Sequence, residues 1–238
     1  MDSYRKIAII VGVIFITATV APIISGVFLG SLSDISGGDD SDYLTETSEN
    51  EKQVIIGVFF YIIMAVAVAS IAIVIYPILK KHNEALALGY VGARIAEGLL
   101  FIVNIITILT LLTLSQEFVK AGAPEASYYQ ILGTLLLAAG DWAYMLGFGL
   151  AFTLSALILN YVLYQSKLVP RWLSVWGLVG AVLIFAYYLL QPFNINLVEI
   201  LFLPIATQEM VFAVWLIVKG FNPSAIASGS VRTDKNKV

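Results

Sequence analysis

Residues 54–79 read VIIGVFFYIIMAVAVASIAIVIYPIL, a run of 26 residues without a single charged side chain. An α-helix needs about 20 mainly apolar residues to cross the hydrocarbon core of a bilayer. Apolar residues fill this run continuously rather than at alternate positions, which favours a helix over a strand of a membrane barrel. The run therefore predicts a transmembrane helix.

Five other apolar runs predict that this helix is one of six transmembrane helices in an all-α polytopic bundle. The other predicted spans are residues 7–32, 85–114, 142–164, 172–190 and 197–218. The chain is 60% hydrophobic and 12% charged, whereas a soluble domain carries roughly 25% charged residues. We therefore predict one transmembrane domain over residues 1–221 and a polar cytoplasmic tail over residues 222–238.

The fourth apolar run, residues 128–164, is too long to be a single crossing. As one helix it would measure about 55 Å, against about 30 Å for the bilayer core. The pair Gly140-Asp141 predicts a break, with Asp141 as the N-cap of the following helix. Residues 128–139 are then expected to form an interfacial segment.

Lysine and arginine side chains are unevenly divided between the two sides of the predicted bundle. With the N-terminus inside, ten of the 13 lie on the inner side, two on the outer side and one, Arg94, within a span. Positive loops favour the cytoplasm, so both termini are predicted to be cytoplasmic. The inner cations are Arg5, Lys6, Lys80, Lys81, Lys167, Arg171, Lys219, Arg232, Lys235 and Lys237, and the aromatic residues expected near the same boundary are Tyr161, Tyr164, Trp172, Trp176 and Trp215.

The predicted outer loop at residues 33–52 holds seven of the 16 acidic residues. Its spacing does not match the EF-hand pattern, in which ligands recur at alternate positions around a fixed glycine. Charge runs of this kind resist packing, so we predict a solvated acidic loop rather than a calcium site.

Several classes of catalytic and metal-binding protein need residues that the predicted spans lack. The chain has no Cys, and its single His, His82, lies in a short charged loop. Haem ligation, a zinc hydrolase site and Ser-His-Asp catalysis would each need His inside the bundle. An intramembrane aspartyl protease needs two Asp residues, and only Asp141 is available. We therefore predict no cofactor, no metal and no nucleic-acid partner.

Ionisable and polar side chains inside the predicted spans mark a candidate site. Each charged group costs about 2.5–3.5 kcal/mol at mid-helix, so it usually faces the interior and has a partner. Tyr90, Arg94 and Glu97 share one face of the third span because residues three and four apart are neighbours on a helix. The candidate residues are Tyr90, Arg94, Glu97, Asn104, Gln208 and Glu209.

The charges of the third and sixth spans are expected at the same depth. Arg94 is ten residues past Glu84, and Glu209 is ten residues before Lys219, so each lies about 15 Å from the inner end. Arg94 could pair with Glu209 or with Glu97, and the sequence leaves both pairings open. With two acids and one arginine, the remaining carboxylate is expected to be protonated or to hold a cation.

Two interpretations of this cluster remain open. A buried ion pair can specify how helices are arranged and do nothing else. Intramembrane ionisable groups, however, more often mark functional sites, and Pro204 is expected to free a carbonyl that lines a cavity. We predict a non-enzymatic protein that binds or passes a small ligand, lipid or proton. The alternatives are a scaffold in a membrane complex or homo-oligomer, and an intramembrane enzyme on a lipid-like substrate; Asp141 is a secondary candidate, with capping as its simpler role.

The last two predicted spans resemble those of a known family. Residues 161–171 read YVLYQSKLVPR, and residues 204–220 fit P-x4-E-x3-A-x-W-L-x-V-K-G, in which Glu209 is the acid. The chain resembles a prokaryotic family of small multi-pass membrane proteins known only as a domain of unknown function. The resemblance implies the same topology, a location in a prokaryotic plasma membrane and a site at Glu209, but no activity. The chain departs from the family at residues 151–154, which read AFTL in place of a Gly-x-His.

Overall fold

The computed structural model describes residues 3–34, 43–124, 128–193 and 199–228, and all regular structure within these ranges is helical. The α-helices are α1 Ser3–Asp34, α2 Tyr43–Glu49, α3 Glu51–Leu79, α4 Glu84–Lys120, α5 Tyr128–Tyr144, α6 Thr153–Ser166, α7 Arg171–Leu190 and α8 Leu203–Val218. A π-helix, Met145–Phe152, joins α5 to α6, and 3-10 turns at Gln191–Phe193 and Glu199–Phe202 lie between α7 and α8. The predicted all-α bundle is confirmed. Parts of the predicted acidic loop (35–42), sixth span (197–198) and tail (229–238) lie outside the described residues.

Five helical stretches of the described chain are long and apolar enough to cross a membrane, which makes this a multi-pass membrane protein. They are Ser3–Gly30, Glu51–Leu79, Glu84–Lys120, Tyr128–Ser166 and Arg171–Leu190. Helix α8 has 16 residues, fewer than the roughly 20 that a full crossing needs, although the turn Glu199–Phe202 leads directly into it. The sixth crossing therefore stays a prediction.

The long helices close into a ring. Helix α1 packs against α3 and α8, α4 packs against α3 and the α5–α6 stretch, and α7 packs against α6 and α8. The contact between α1 and α8 is very close at Gly12, where an added Cβ would lie 2.7 Å from the carbonyl oxygen of Ala213. Large apolar side chains such as Val27 and Phe59 remain exposed on the outside, as a lipid-facing surface requires.

The predicted break at Gly140-Asp141 is wrong, because α5 continues through both residues. The glycine serves close packing: its carbonyl accepts a 2.6 Å hydrogen bond from Asn104 Nδ2, and an added Cβ would lie 2.8 Å from Thr107 Oγ1. Asp141 lies within the residue range of α5, so it does not cap a helix, and its side chain is exposed. The irregularity lies instead in the π-helix Met145–Phe152.

The second half of the predicted acidic loop is also not a solvated loop. Residues 43–49 form the short helix α2, in which Tyr43 and Leu44 are buried, and the Tyr43 hydroxyl donates to the Gln130 carbonyl at 3.1 Å. Helix α4 extends to Lys120, past the predicted end of its span at residue 114, and provides a surface on which α2 packs. Two apolar side chains among the acids are thus enough to dock this segment.

Candidate functional site

Arg94 is the centre of a buried polar cluster formed by α4 and α8. Its Nη1 donates to both carboxylate oxygens of Glu97, at 3.4 and 3.2 Å, and its Nη2 donates to Glu209 Oε1 at 3.2 Å. Its Nε donates to the Tyr90 hydroxyl at 3.3 Å. The guanidinium therefore binds two carboxylates at once, and both pairings that the sequence left open are present.

The two carboxylates differ in their access to surrounding space. The side chain of Glu97 is 2% exposed, whereas that of Glu209 is 18% exposed. Glu97 lies one turn from Arg94 on the same helix, but Glu209 reaches Arg94 from α8. Glu209 is consequently the acid that another molecule could contact without breaking the pair within α4.

Aromatic rings surround the guanidinium of Arg94. The Arg94 Cζ atom lies 5.7 Å from the ring centroid of Phe15, 5.7 Å from that of Tyr90 and 5.3 Å from that of Phe152. A guanidinium within about 6 Å of a ring face is attracted by the ring quadrupole. These contacts add to the ion pairs in holding the side chain in place.

A cavity of about 500 Å³ reaches this cluster from inside the ring of helices. Arg94, Glu97 and Glu209 lie at its polar end, and its remaining walls are mainly apolar. It extends along α1 as far as Leu29 and along α8 to Phe202 in the turn before that helix, toward the end of the bundle that the sequence predicts to be outer. Its volume lies in the range of cavities that bind small molecules, about 300–1,000 Å³.

Gln208 does not join the Arg94 cluster, contrary to the prediction. Its side chain is buried and faces away from Arg94, where Nε2 donates to Asn160 Oδ1 at 3.3 Å and to the Leu173 carbonyl at 3.2 Å. Adjacent residues on a helix point in directions about 100° apart, and of these two only Glu209 lines the cavity. Gln208 instead links α8 to α6 and α7.

Asn104 and Asp141 also lie outside the cavity wall. Asn104 donates its hydrogen bond to the Gly140 carbonyl, and the Asp141 side chain is exposed on α5. Pro204 lies in the first turn of α8, where a proline removes no hydrogen bond, so the predicted free carbonyl does not arise. None of these three residues forms part of the polar end.

The sequence reasoning missed an aromatic wall. Tyr144, Phe148 and Phe152 follow one another at intervals of four residues through the π-helix and line the cavity with Phe202. The Phe148 and Phe152 rings stack with centroids 4.5 Å apart, and Phe148 and Phe202 lie 5.9 Å apart. The four-residue spacing of these rings is the one feature of the sequence that could have predicted this wall. Such spacing is also common on lipid-exposed helices, so it is not distinctive.

The cluster carries more acidic than basic groups. Two carboxylates and one guanidinium carry a net charge of −1 when all are ionised, so the cluster can accept a cation or a proton. The described residues contain no group of three or more His, Asp or Glu side chains that could hold a metal ion.

Comparison with known proteins returns one family. A model described as "Domain of unknown function (DUF4386)" matches residues 10–220, which include every residue of the Arg94 cluster. No curated protein and no solved structure matches the chain. The match confirms the resemblance seen in the last two helices.

Proposed function

The chain belongs to the DUF4386 family, a domain of unknown function, and we propose that this membrane protein binds a small amphiphilic ligand. The polar head of the ligand would lie at Arg94, Glu97 and Glu209. Its apolar body would occupy the aromatic-walled part of the cavity. The observation that carries this proposal is that one cavity of about 500 Å³ joins a buried ion cluster to an apolar chamber.

The charge of the cluster favours a head group that is neutral or positive. A negative head would add to two carboxylates in a site of low dielectric constant, where like charges repel strongly. A protonated amine or a hydroxyl could donate to Glu209, whose side chain is partly open to the cavity. A proton could bind to Glu209 in place of a cationic head group. Passage of protons is therefore the simplest alternative function for the same site.

The same proposal places the protein in a prokaryotic plasma membrane with both termini cytoplasmic. The uneven distribution of Lys and Arg supports this orientation. In it, the cavity runs from the middle of the membrane toward the outer leaflet. A ligand would then enter from the outer side or from the lipid around it.

Native mass spectrometry of the protein, gently extracted from its own membrane, tests the proposal. We expect a discrete bound mass in the wild type that disappears in Glu209→Gln, which keeps the size of the side chain but removes its charge. Glu117→Gln is the matched control, because Glu117 is exposed and pairs with Lys120 at the surface. Ala18→Phe should also lose the ligand, since Ala18 lines the cavity away from the charges.

Other results would contradict binding. A ligand retained in both Glu209→Gln and Ala18→Phe would lie elsewhere. A wild type without any adduct would favour a purely structural ion cluster, and a stable larger assembly without adduct would favour a scaffold in a membrane complex or homo-oligomer. Chemical conversion of a bound lipid by the wild type but not by Glu209→Gln would instead favour an intramembrane enzyme.

A further inference from the structure

A second feature, separate from the cavity, lies at the opposite end of α8. A groove of about 470 Å³ runs between the loop that follows α6 and the residues that follow α8. Lys167, Arg171 and Lys219 line it, together with Trp215 and Asn222. Among the residues that the structure describes, no acidic one lines this groove.

The three cations are free to receive an anion. All three side chains are exposed, and none has an ion-pair partner among the described residues. Arg171 does contact the Tyr164 ring, at 5.0 Å from its centroid, but this contact leaves its N–H donors available. Three like charges around one groove repel one another unless an anion lies between them.

The groove is built by hydrogen bonds that tie its two walls together. The Asn222 backbone N–H donates to the Leu168 carbonyl at 2.8 Å, and Asn222 Nδ2 donates to the Lys167 carbonyl at 3.3 Å. Lys167 adopts a left-handed conformation, with φ of 57°, which ends α6 and turns the chain toward α7. The walls are therefore held in place without a ligand, and the positive end of the α7 dipole adds to the field at Arg171.

The groove lies at the depth of a lipid head group. The Trp172 ring centroid lies 6.4 Å from that of Trp215 and 6.3 Å from that of Trp176, so three indoles cluster at this end of the bundle. Tryptophan is enriched at the boundary between hydrocarbon and water. This is also the side that the distribution of Lys and Arg predicts to be cytoplasmic, the side that carries anionic lipid in many membranes.

We propose that this groove binds the phosphate group of an anionic phospholipid, with the indole cluster against its acyl chains. Positive charge on inner loops by itself serves orientation, but orientation depends on the number of cations and not on their convergence on one groove. Basic pockets beside membrane helices bind anionic head groups in this way. The site is independent of the Glu209 cavity and does not depend on the function proposed for it.

Quenching of tryptophan fluorescence tests the proposal on the full chain in phosphatidylcholine vesicles. Increasing fractions of brominated phosphatidylglycerol are compared with the same fractions of brominated phosphatidylcholine. Three of the four Trp residues lie in the indole cluster, so quenching reports lipid at this site. We expect the wild type to prefer the anionic lipid. Lys167→Gln/Arg171→Gln/Lys219→Gln should reduce that preference at least about tenfold, since about fivefold per cation near a membrane amounts to about a hundredfold for three.

Lys6→Gln/Lys80→Gln/Lys81→Gln is the matched control, because it removes the same charge from the same side of the membrane. It should keep the preference within about twofold, and Lys167→Arg/Arg171→Lys/Lys219→Arg should restore most of it. Unchanged preference in the groove variant, equal loss in the control, or no preference in the wild type would each overturn the proposal. If the triple variant folds poorly, the single variants Lys167→Gln, Arg171→Gln and Lys219→Gln provide the same test, and each should lower the preference for the anionic lipid.

Discussion

At the residue scale, Arg94 organises the buried polar side chains inside the helix bundle. Its guanidinium presents N–H donors in a planar fork, which allows it to bind Glu97, Glu209 and Tyr90 in three directions. A lysine ammonium could not reproduce this geometry from one position. Because the residue is 2% exposed, each of these contacts replaces water that the charge would otherwise need.

Replacing Arg94 should therefore destabilise the fold strongly. We expect Arg94→Met to lower the free energy of unfolding in detergent by about 3–5 kcal/mol, because it leaves two carboxylates buried without their cation. Adding Glu97→Gln and Glu209→Gln to this variant should recover more than half of the loss, since the uncompensated charges are then gone. Denaturant titration followed by circular dichroism measures both changes.

Arg171→Met is the control for this comparison, because Arg171 is exposed and has no ion pair among the described residues. It should change the free energy of unfolding by less than about 1 kcal/mol. A loss in Arg94→Met no larger than this would show that the cluster contributes little to stability.

At the scale of elements, glycines determine how closely neighbouring helices approach. Gly140 of α5 accommodates the side chains of α4, and Gly177 of α7 accommodates the Asn160 amide of α6. Lipid provides no hydrophobic force between helices, so close approach and hydrogen bonds between them carry the association. The Asn160 amide in turn accepts from Gln208, which connects α6, α7 and α8.

Gly177→Ala should disrupt this junction. An added Cβ would lie 2.2 Å from Asn160 Oδ1, so we expect a destabilisation of about 1–3 kcal/mol in detergent unfolding. Asn160→Ala in the same chain should relieve part of that loss. Gly92→Ala on the lipid-facing side of α4 is the control, because its Cβ meets nothing within 4 Å, and it should be neutral or slightly stabilising. Equal effects at both glycines would contradict this account.

At the scale of the whole molecule, a membrane crossing by α8 determines whether both termini lie on the same side. The ring places α8 between α1 and α7, and the cavity needs its Glu209 as one wall. A crossing by α8 with the turn before it would bring both termini to the same side. The count of six crossings and the cytoplasmic termini can be tested together.

Single cysteines can report this orientation, because the chain has no Cys of its own. In intact cells, a membrane-impermeant maleimide should label Ala121→Cys, which follows α4, and should not label Ser3→Cys or Ser228→Cys. Permeabilised cells should label all three. Labelling of Ser228→Cys but not Ser3→Cys in intact cells would show that α8 does not cross.

Part of this account follows from the amino-acid sequence alone. Hydrocarbon contains no hydrogen-bonding partner for the backbone, so long apolar runs must be helical, and the position of a charge along its run determines its depth. Arg94 and Glu209 could therefore be placed at one level before any contact between α4 and α8 was known. The glutamate motif of the last helix likewise led to the family.

Tertiary structure alone decided which face of each helix meets which neighbour. In a membrane, lipid-facing and protein-facing surfaces are both apolar, so hydrophobic periodicity does not distinguish them. For this reason Gln208 was expected beside Arg94 but faces Asn160. Gly140 was expected to end a helix because the run seemed too long for one crossing, but the helix continues and Gly140 packs against Asn104. The cavity could not be predicted for the same reason, since it exists only where several helices, each ordinary in sequence, leave space between them.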